Sequence, residues 1–169
     1  CGAPKTETLD IFAMDTYMSR AAYGDDAQEA LAAAAREINR LERELSRTIA
    51  TSDVYKINAD GAAVVSDETA ALLQSAMVYS EKTGGLFDVT IAPLVTLWGI
   101  TTDSPRVPAQ SEIASLLPLV GSKHIHIDGT SVALDSGCGL DLGGIAKGYA
   151  SDRVAEILKQ YGVTGAAVS

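Results

Sequence analysis

Apolar positions along the chain change rhythm several times. Between Glu7 and Tyr23, Leu9, Ile11, Tyr17 and Tyr23 sit among threonines, a strand-like pattern that predicts a hairpin or one long bent strand. Gly24-Asp25-Asp26 breaks it. From about Asp26 to Ser46 the spacing becomes helical, with Leu31, Ile38, Leu41 and Leu45 on one face. Asp25, Asp26 and Glu29 fall at the positive end of this helix and Arg36, Arg40, Arg43 and Arg47 toward its negative end, as the macrodipole favours. The arginines alternate with Glu37, Glu42 and Glu44, so this face reads as solvated and salt-paired rather than as a binding surface. A second helix is predicted from Asp67 to Thr83, capped by Ser66 or Asp67, with Leu72, Leu73, Ala76, Met77 and Tyr79-Ser80 in its buried stripe and Gly84-Gly85 as its stop.

Leu86 to Gly99 is apolar and rich in β-formers, and Thr101 to Pro108 reads as a polar loop. Ser111-Glu112 begins a short helix that Pro118 limits. Lys123 to Ile127 alternates, Asp128-Gly129 signals a turn, and Ser131 to Leu134 alternates again, which predicts a hairpin. Gly143-Gly144 precedes a helix from about Ile145 to Tyr161, closed by Gly162, and Val163 to Ser169 reads as the start of a buried strand. Hairpins alternating with helices argue for an α+β fold.

Composition narrows the functional classes. A chain of 169 residues with 47% hydrophobic and 21% charged residues can bury a real core, and one domain is the default. Thirteen Lys and Arg against 22 Asp and Glu leave a formal charge of −9. That balance disfavours a nucleic-acid partner and electrostatic docking on anionic lipid. The longest uncharged stretch, Val89 to Thr102, is shorter than the roughly 20 apolar residues of a membrane span and contains Pro93 and Gly99. The two cysteines, Cys1 and Cys138, do not form a disulfide framework. Cys1 followed by Gly2, Ala3 and Pro4 looks like the start of a processed bacterial lipoprotein, the other reading being an arbitrary boundary. Residues 1–6 read as a tether.

The strongest chemical signal is Asp141-Leu142-Gly143-Gly144-Ile145-Ala146-Lys147-Gly148-Tyr149-Ala150. Two glycines open the backbone at a helix start, where N–H groups lack internal partners and can meet an anion. Lys147 adds a cation one turn in, and Asp141 could hold a ribose hydroxyl, an amide or a cation. A phosphorylated ligand fits this set, and helix packing through Gly143 and Gly148 fits it about as well. The spacing is neither that of a P-loop nor that of the dinucleotide fingerprint, whose third glycine is Leu142 here. Asp88 lies inside an apolar run and either caps backbone locally or faces a ligand. His124 and His126 share a strand face, for which a solvated hairpin is the simpler reading than a metal site. Cys138 reads as a small buried residue.

Four segments in order, Phe12-Ala13-Met14-Asp15-Thr16, Ser52 to Asn58, Gly85 to Gly99 and Asp141 to Ala150, resemble the ApbE family. The resemblance implies an α+β, T-fold-related domain with a mostly antiparallel sheet, of which 7–169 would be the N-terminal portion. It implies a FAD:protein FMN transferase that binds FAD and Mg²⁺, moves FMN to a Thr or Ser hydroxyl of an exported or membrane redox protein, and releases AMP. By position, Met14, Thr48, Leu86, Phe87, Asp88, Asp141 and Lys147 would contact FAD, and the Gly144 carbonyl would help to hold Mg²⁺. Asp15 stands where many members have Gly, and Thr48 where some carry a Tyr against the ligand. Family members are longer. Their C-terminal half carries an Asp-x-x-x-Thr type metal motif and completes the sheet, so the catalytic residues are expected there, or on a second chain. A cell-envelope location, anchored through Cys1, goes with this reading. The alternative is a lipoprotein that binds or hydrolyses FAD without transferring it.

Overall fold

The computed structural model describes residues 6–100 and 102–168. Two compact units emerge: one comprises the residues up to Arg43 together with those from Ile145, and the other runs from Glu44 to Gly144. The tether and Cys1 lie almost wholly outside the described residues.

In the first unit, β1 (Thr6–Ala13) and β2 (Thr16–Tyr23) form an antiparallel hairpin in which Ala13 faces Thr16. The hairpin, not the bent strand, is what the alternation encodes. Its two-residue turn is Met14-Asp15, with φ of 52° and 55°. A two-residue turn that follows strand twist needs left-handed residues at both positions, which explains why glycine suits the second. The strand β6 (Gly165–Val168) pairs antiparallel with β2, giving the order β1-β2-β6. The long helix α1 (Ala27–Leu45) buries Ala27, Ala30, Leu31, Ala34, Ile38 and Leu41. The helix α6 (Ala146–Gln160) buries Ala146, Ala150, Val154 and Leu158, a stripe at every fourth residue. Arg153 Nε, 3.3 Å from Glu37 Oε1, ties α6 to α1. Glu37 also pairs with Arg40 at 2.9 Å, as expected for a salt-paired face. Arg47 departs from that expectation, since α1 ends at Leu45.

Arg20 is the anomaly of this unit. It lies on the inward side of β2 between Met18 and Ala22, is 1% exposed, and none of its three guanidinium nitrogens has a hydrogen-bond partner among the described residues. Burial pulls its pKa down, against a smaller opposing effect of the Asp10 charge.

The second unit holds α2 (Asp53–Asp60), β3 (Ala62–Val64), α3 (Asp67–Lys82), α4 (Ala92–Trp98), α5 (Gln110–Leu116), β4 (Ile125–Asp128) and β5 (Ser131–Leu134). Its antiparallel sheet has the order β3-β5-β4. Ser52 caps α2 by accepting from Tyr55 N at 2.9 Å, and Gly61 ends it at φ 75°. Neither α2 nor β3 is evident in the hydrophobic pattern, because both are short and α2 buries only Val54 and Ile57. Ser66 caps α3 through Thr69 N at 3.0 Å. Tyr79, expected in the buried stripe of this helix, is exposed. The β-rich run from Leu86 to Gly99 is not a strand: a single 3₁₀ turn at Val89–Ile91 leads into α4. Asp88 caps that turn, and Pro93 at the first turn of α4 has no N–H to give to a sheet. The short helix expected near Ser111 is α5, and Pro118 falls in the 3₁₀ turn that follows it. The core gathers Val54, Ile57, Leu72, Leu73, Ala76, Val89, Leu94, Ile125, Val132, Leu140 and Leu142.

Candidate functional site

In the second unit, residues 139–144 form an irregular strip held from both sides. Asn58 pairs with Leu140 like a neighbouring strand, its Nδ2 donating to the Leu140 carbonyl at 2.9 Å and its Oδ1 accepting from Leu140 N at 2.6 Å. One residue later, Asp141 N donates to the Val89 carbonyl at 2.8 Å. These bonds fix Asp141 beside the Phe87–Val89 segment. The Asp141 carboxylate is shared: Oδ1 accepts from Gly143 N at 2.8 Å, and Oδ2 lies 3.1 Å from Arg47 Nε. Gly144 backs against an aromatic ring, since a Cβ there would stand 3.0 Å from Phe87 Cε2. Asp141, Gly144 and Phe87 are therefore brought together.

Asp88 belongs to this segment and is half-buried, with its carboxylate engaged locally. Its Oδ2 accepts from Ser80 Oγ at 2.6 Å, and its Oδ1 accepts from Thr90 N at 2.8 Å and from Thr90 Oγ1. Burial works against its charged form, but the hydrogen bonds from Ser80, Thr90 and Ser122 outweigh that and hold the carboxyl below its ordinary pKa. Thr90 Oγ1 in turn accepts from Gly121 N at 2.7 Å. Of the two readings open for Asp88, its side chain fulfils the local capping one. Leu86 is 94% exposed, on a bend opened by Gly84 and Gly85 at φ 62° and 80°. Thr48 is exposed and its hydroxyl lies 3.0 Å from Ser46 Oγ.

Two of the sequence-selected residues belong to the first unit. Met14 occupies the left-handed hairpin turn, and its N donates to Glu42 Oε1 at 2.7 Å. Lys147 is exposed on the first turn of α6. Sequence reasoning passed over Glu42, Arg47 and Asn58 as site-building residues. Asn58 stood inside a family-like segment, but Arg47 and Glu42 had only the signal of a charged helix face.

No group of three metal-capable side chains occurs among the described residues. Both ring nitrogens of His124 are engaged, Nδ1 with Asp135 Oδ2 at 2.8 Å and Nε2 with the Pro118 carbonyl at 3.0 Å. His126 Nε2 takes the other oxygen of Asp135 at 2.8 Å. The histidine pair thus clamps a carboxylate, which holds Asp135 below its usual pKa. Cys138 is half-buried, and burial, with the nearby Asp135 charge, pushes its thiol up, which disfavours the thiolate. No described helix is long and apolar enough to cross a membrane.

Comparison with known proteins places this geometry. The ApbE family model matches residues 14–169, and the chain belongs to the ApbE family. The FAD:protein FMN transferase of Klebsiella pneumoniae (strain 342) is 36% identical over 138 residues, which cover 78% of this chain and 44% of that protein. The FAD:protein FMN transferase of Vibrio cholerae (strain O395) is 31% identical over 137 residues, covering 75% of this chain and 41% of that protein. The crystal structure of the ApbE protein of Thermotoga maritima superimposes with a TM-score of 0.90 at 31% identity, over 98% of this chain and 56% of that one. The α+β architecture is thus that of ApbE proteins, and the chain spans less than half the length of these curated relatives.

Proposed function

We propose that this chain supplies part of a FAD:protein FMN transferase. The observation that carries this reading is the Asp141–Gly144 turn, fixed by Asn58, Val89 and Arg47 and seated against Phe87. It brings together three of the segments that resemble the family, Ser52 to Asn58, Gly85 to Gly99 and Asp141 to Ala150, and the curated relatives named above are FAD:protein FMN transferases. In the reaction, a Thr or Ser hydroxyl oxygen of the acceptor attacks the FMN phosphorus of FAD. The P–O bond to the AMP portion breaks, AMP leaves with the electron pair, and the hydroxyl proton is lost to solvent or a base. Such phosphoryl transfer depends on positioning and charge neutralisation. This chain's share is binding: in the second unit Phe87 and Leu86 offer apolar surface and Asp141 accepts from a hydroxyl or amide of the nucleotide, and in the first unit Lys147 is the candidate for phosphate.

Mg²⁺ is part of the proposal, but the described residues suit it only in part. Gly144 offers one backbone carbonyl, and among the described residues no metal-capable side-chain cluster accompanies it. Mg²⁺ prefers six oxygen ligands and usually keeps water and phosphate among them, so no step is assigned to it from these residues. The envelope location remains part of the same proposal.

The test is intact mass spectrometry of an acceptor domain with an exposed threonine site, incubated with FAD, Mg²⁺ and this protein, with and without a C-terminal half. A gain of one FMN supports transfer, and dependence on the added half locates the remaining residues there. Flavin binding or release of FMN and AMP without labelling would instead support the non-transferring alternative.

A further inference from the structure

Asp141 raises a conflict in the site proposed above. It brings a negative charge to a turn meant to lie beside a diphosphate, and like charges in a partly desolvated site repel strongly. Arg47 resolves the conflict. Its Nε sits 3.1 Å from Asp141 Oδ2, with side-chain exposures of only 21% and 19%, so solvent screens the pair less than a surface one. The same guanidinium reaches Thr96 Oγ1 at 3.4 Å and the Ile100 carbonyl at 3.5 Å, at the end of α4. One side chain thus joins the link after α1, the end of α4 and the 141–144 turn. With Oδ1 committed to Gly143 N and Oδ2 to Arg47, the carboxylate has one orientation.

Resting on the transferase reading, we propose that Arg47 is a positioning residue of the nucleotide site. It fixes the Asp141 rotamer and cancels its charge, so that Asp141 accepts from a ribose hydroxyl or an amide without repelling the neighbouring diphosphate. A planar guanidinium serves this purpose better than an ammonium, because its fork geometry sets direction as well as charge.

The test measures FAD affinity of the full chain by flavin fluorescence for wild type, Arg47→Ala, Arg47→Lys, Asp141→Asn and the Arg47→Ala/Asp141→Asn pair. Arg47→Ala is expected to weaken FAD binding about tenfold or more, the scale of losing a hydrogen bond to a charged group. The loss should be smaller at high salt, where repulsion by the bared carboxylate is screened. In the Asp141→Asn background, removing Arg47 should cost no further affinity. Arg47→Lys should fall between wild type and Arg47→Ala, and it decides the matter if Arg47→Ala does not fold. A purely structural arginine would lower the melting temperature and weaken binding equally in both backgrounds, and that result overturns the proposal. So does an Arg47→Ala affinity within twofold of wild type. If wild type binds no FAD even with the C-terminal half added, the transferase reading fails first and this inference with it.

Discussion

Met14 and Asp15 are the residues other than glycine with positive φ among those described, and they adjoin in one turn. Left-handed backbone costs an ordinary L-residue about 1–2 kcal/mol, less for Asp, and most for β-branched types. The Met14 N–H bond to Glu42 helps to hold the turn closed. Asp15→Val is therefore expected to lower unfolding free energy by about 1–2 kcal/mol in urea titrations, whereas Asp15→Gly relieves the strain but frees the unfolded chain and nets within about 1 kcal/mol. An unchanged midpoint for Asp15→Val would mean the hairpin re-forms with another turn. Asp88 gives a second residue-scale expectation. Asn at that site would set an amide donor against donors from Ser80 and Thr90, at a cost of about 1.5–3 kcal/mol. Because the folded pKa of Asp88 is lowered, its contribution is complete above the ordinary aspartate pKa and is lost as pH falls through the lowered value. Acid titration of stability should thus be shallower in Asp88→Asn than in wild type. Parallel curves would show that Asp88 is not a source of acid sensitivity.

At the scale of elements, long periodic segments were the legible ones. The predicted helices near Asp26–Ser46 and Asp67–Thr83 correspond to α1 and α3 within a residue or so, since each buries a full stripe. The run after Leu86 misled because Val, Thr and Ile favour strands, while the capping Asp88 and Pro93 decide otherwise. That helix ends at Gly99, with φ 65°, where a Cβ would come within 2.7 Å of the Ser104 carbonyl oxygen. Gly99→Ala must move backbone, so a loss of about 1–3 kcal/mol in thermal unfolding is expected, and full retention of stability would contradict the close approach. Arg20 on β2 argues in the opposite direction. A buried cation without a bonded partner is a standing cost, and replacing buried charge by a well-packed apolar side chain often stabilises by about 1–4 kcal/mol. Arg20→Met should accordingly raise the urea midpoint of this chain. A lower midpoint would reveal an anionic partner that the described residues do not include.

Over the whole molecule, the motifs could be read and their partnerships could not. The Asp141 turn was legible because glycines and a lysine share ten residues, but its supports come from Asn58 and Arg47, each more than eighty positions away. No periodicity encodes such pairs. The sheet order β1-β2-β6 has a similar long-range origin and leaves the far side of β6 unpaired among the described residues. Proteins usually guard such edges with charge, proline or a bulge. β1 carries Glu7 and Asp10, whereas Gly165-Ala166-Ala167-Val168 carries no charge. Ala167 stands opposite Ala21, on the face away from buried Ala22, so a long side chain there meets solvent instead of core. The 169-residue chain should therefore self-associate with rising concentration in light scattering, and Ala167→Lys should suppress this while shifting stability by no more than about 0.5 kcal/mol, as exposed substitutions do. Charge would then be acting on the edge itself. Equal association by both proteins would move the sticky surface elsewhere, to the exposed Phe12–Tyr17 pair on the outer face of the hairpin.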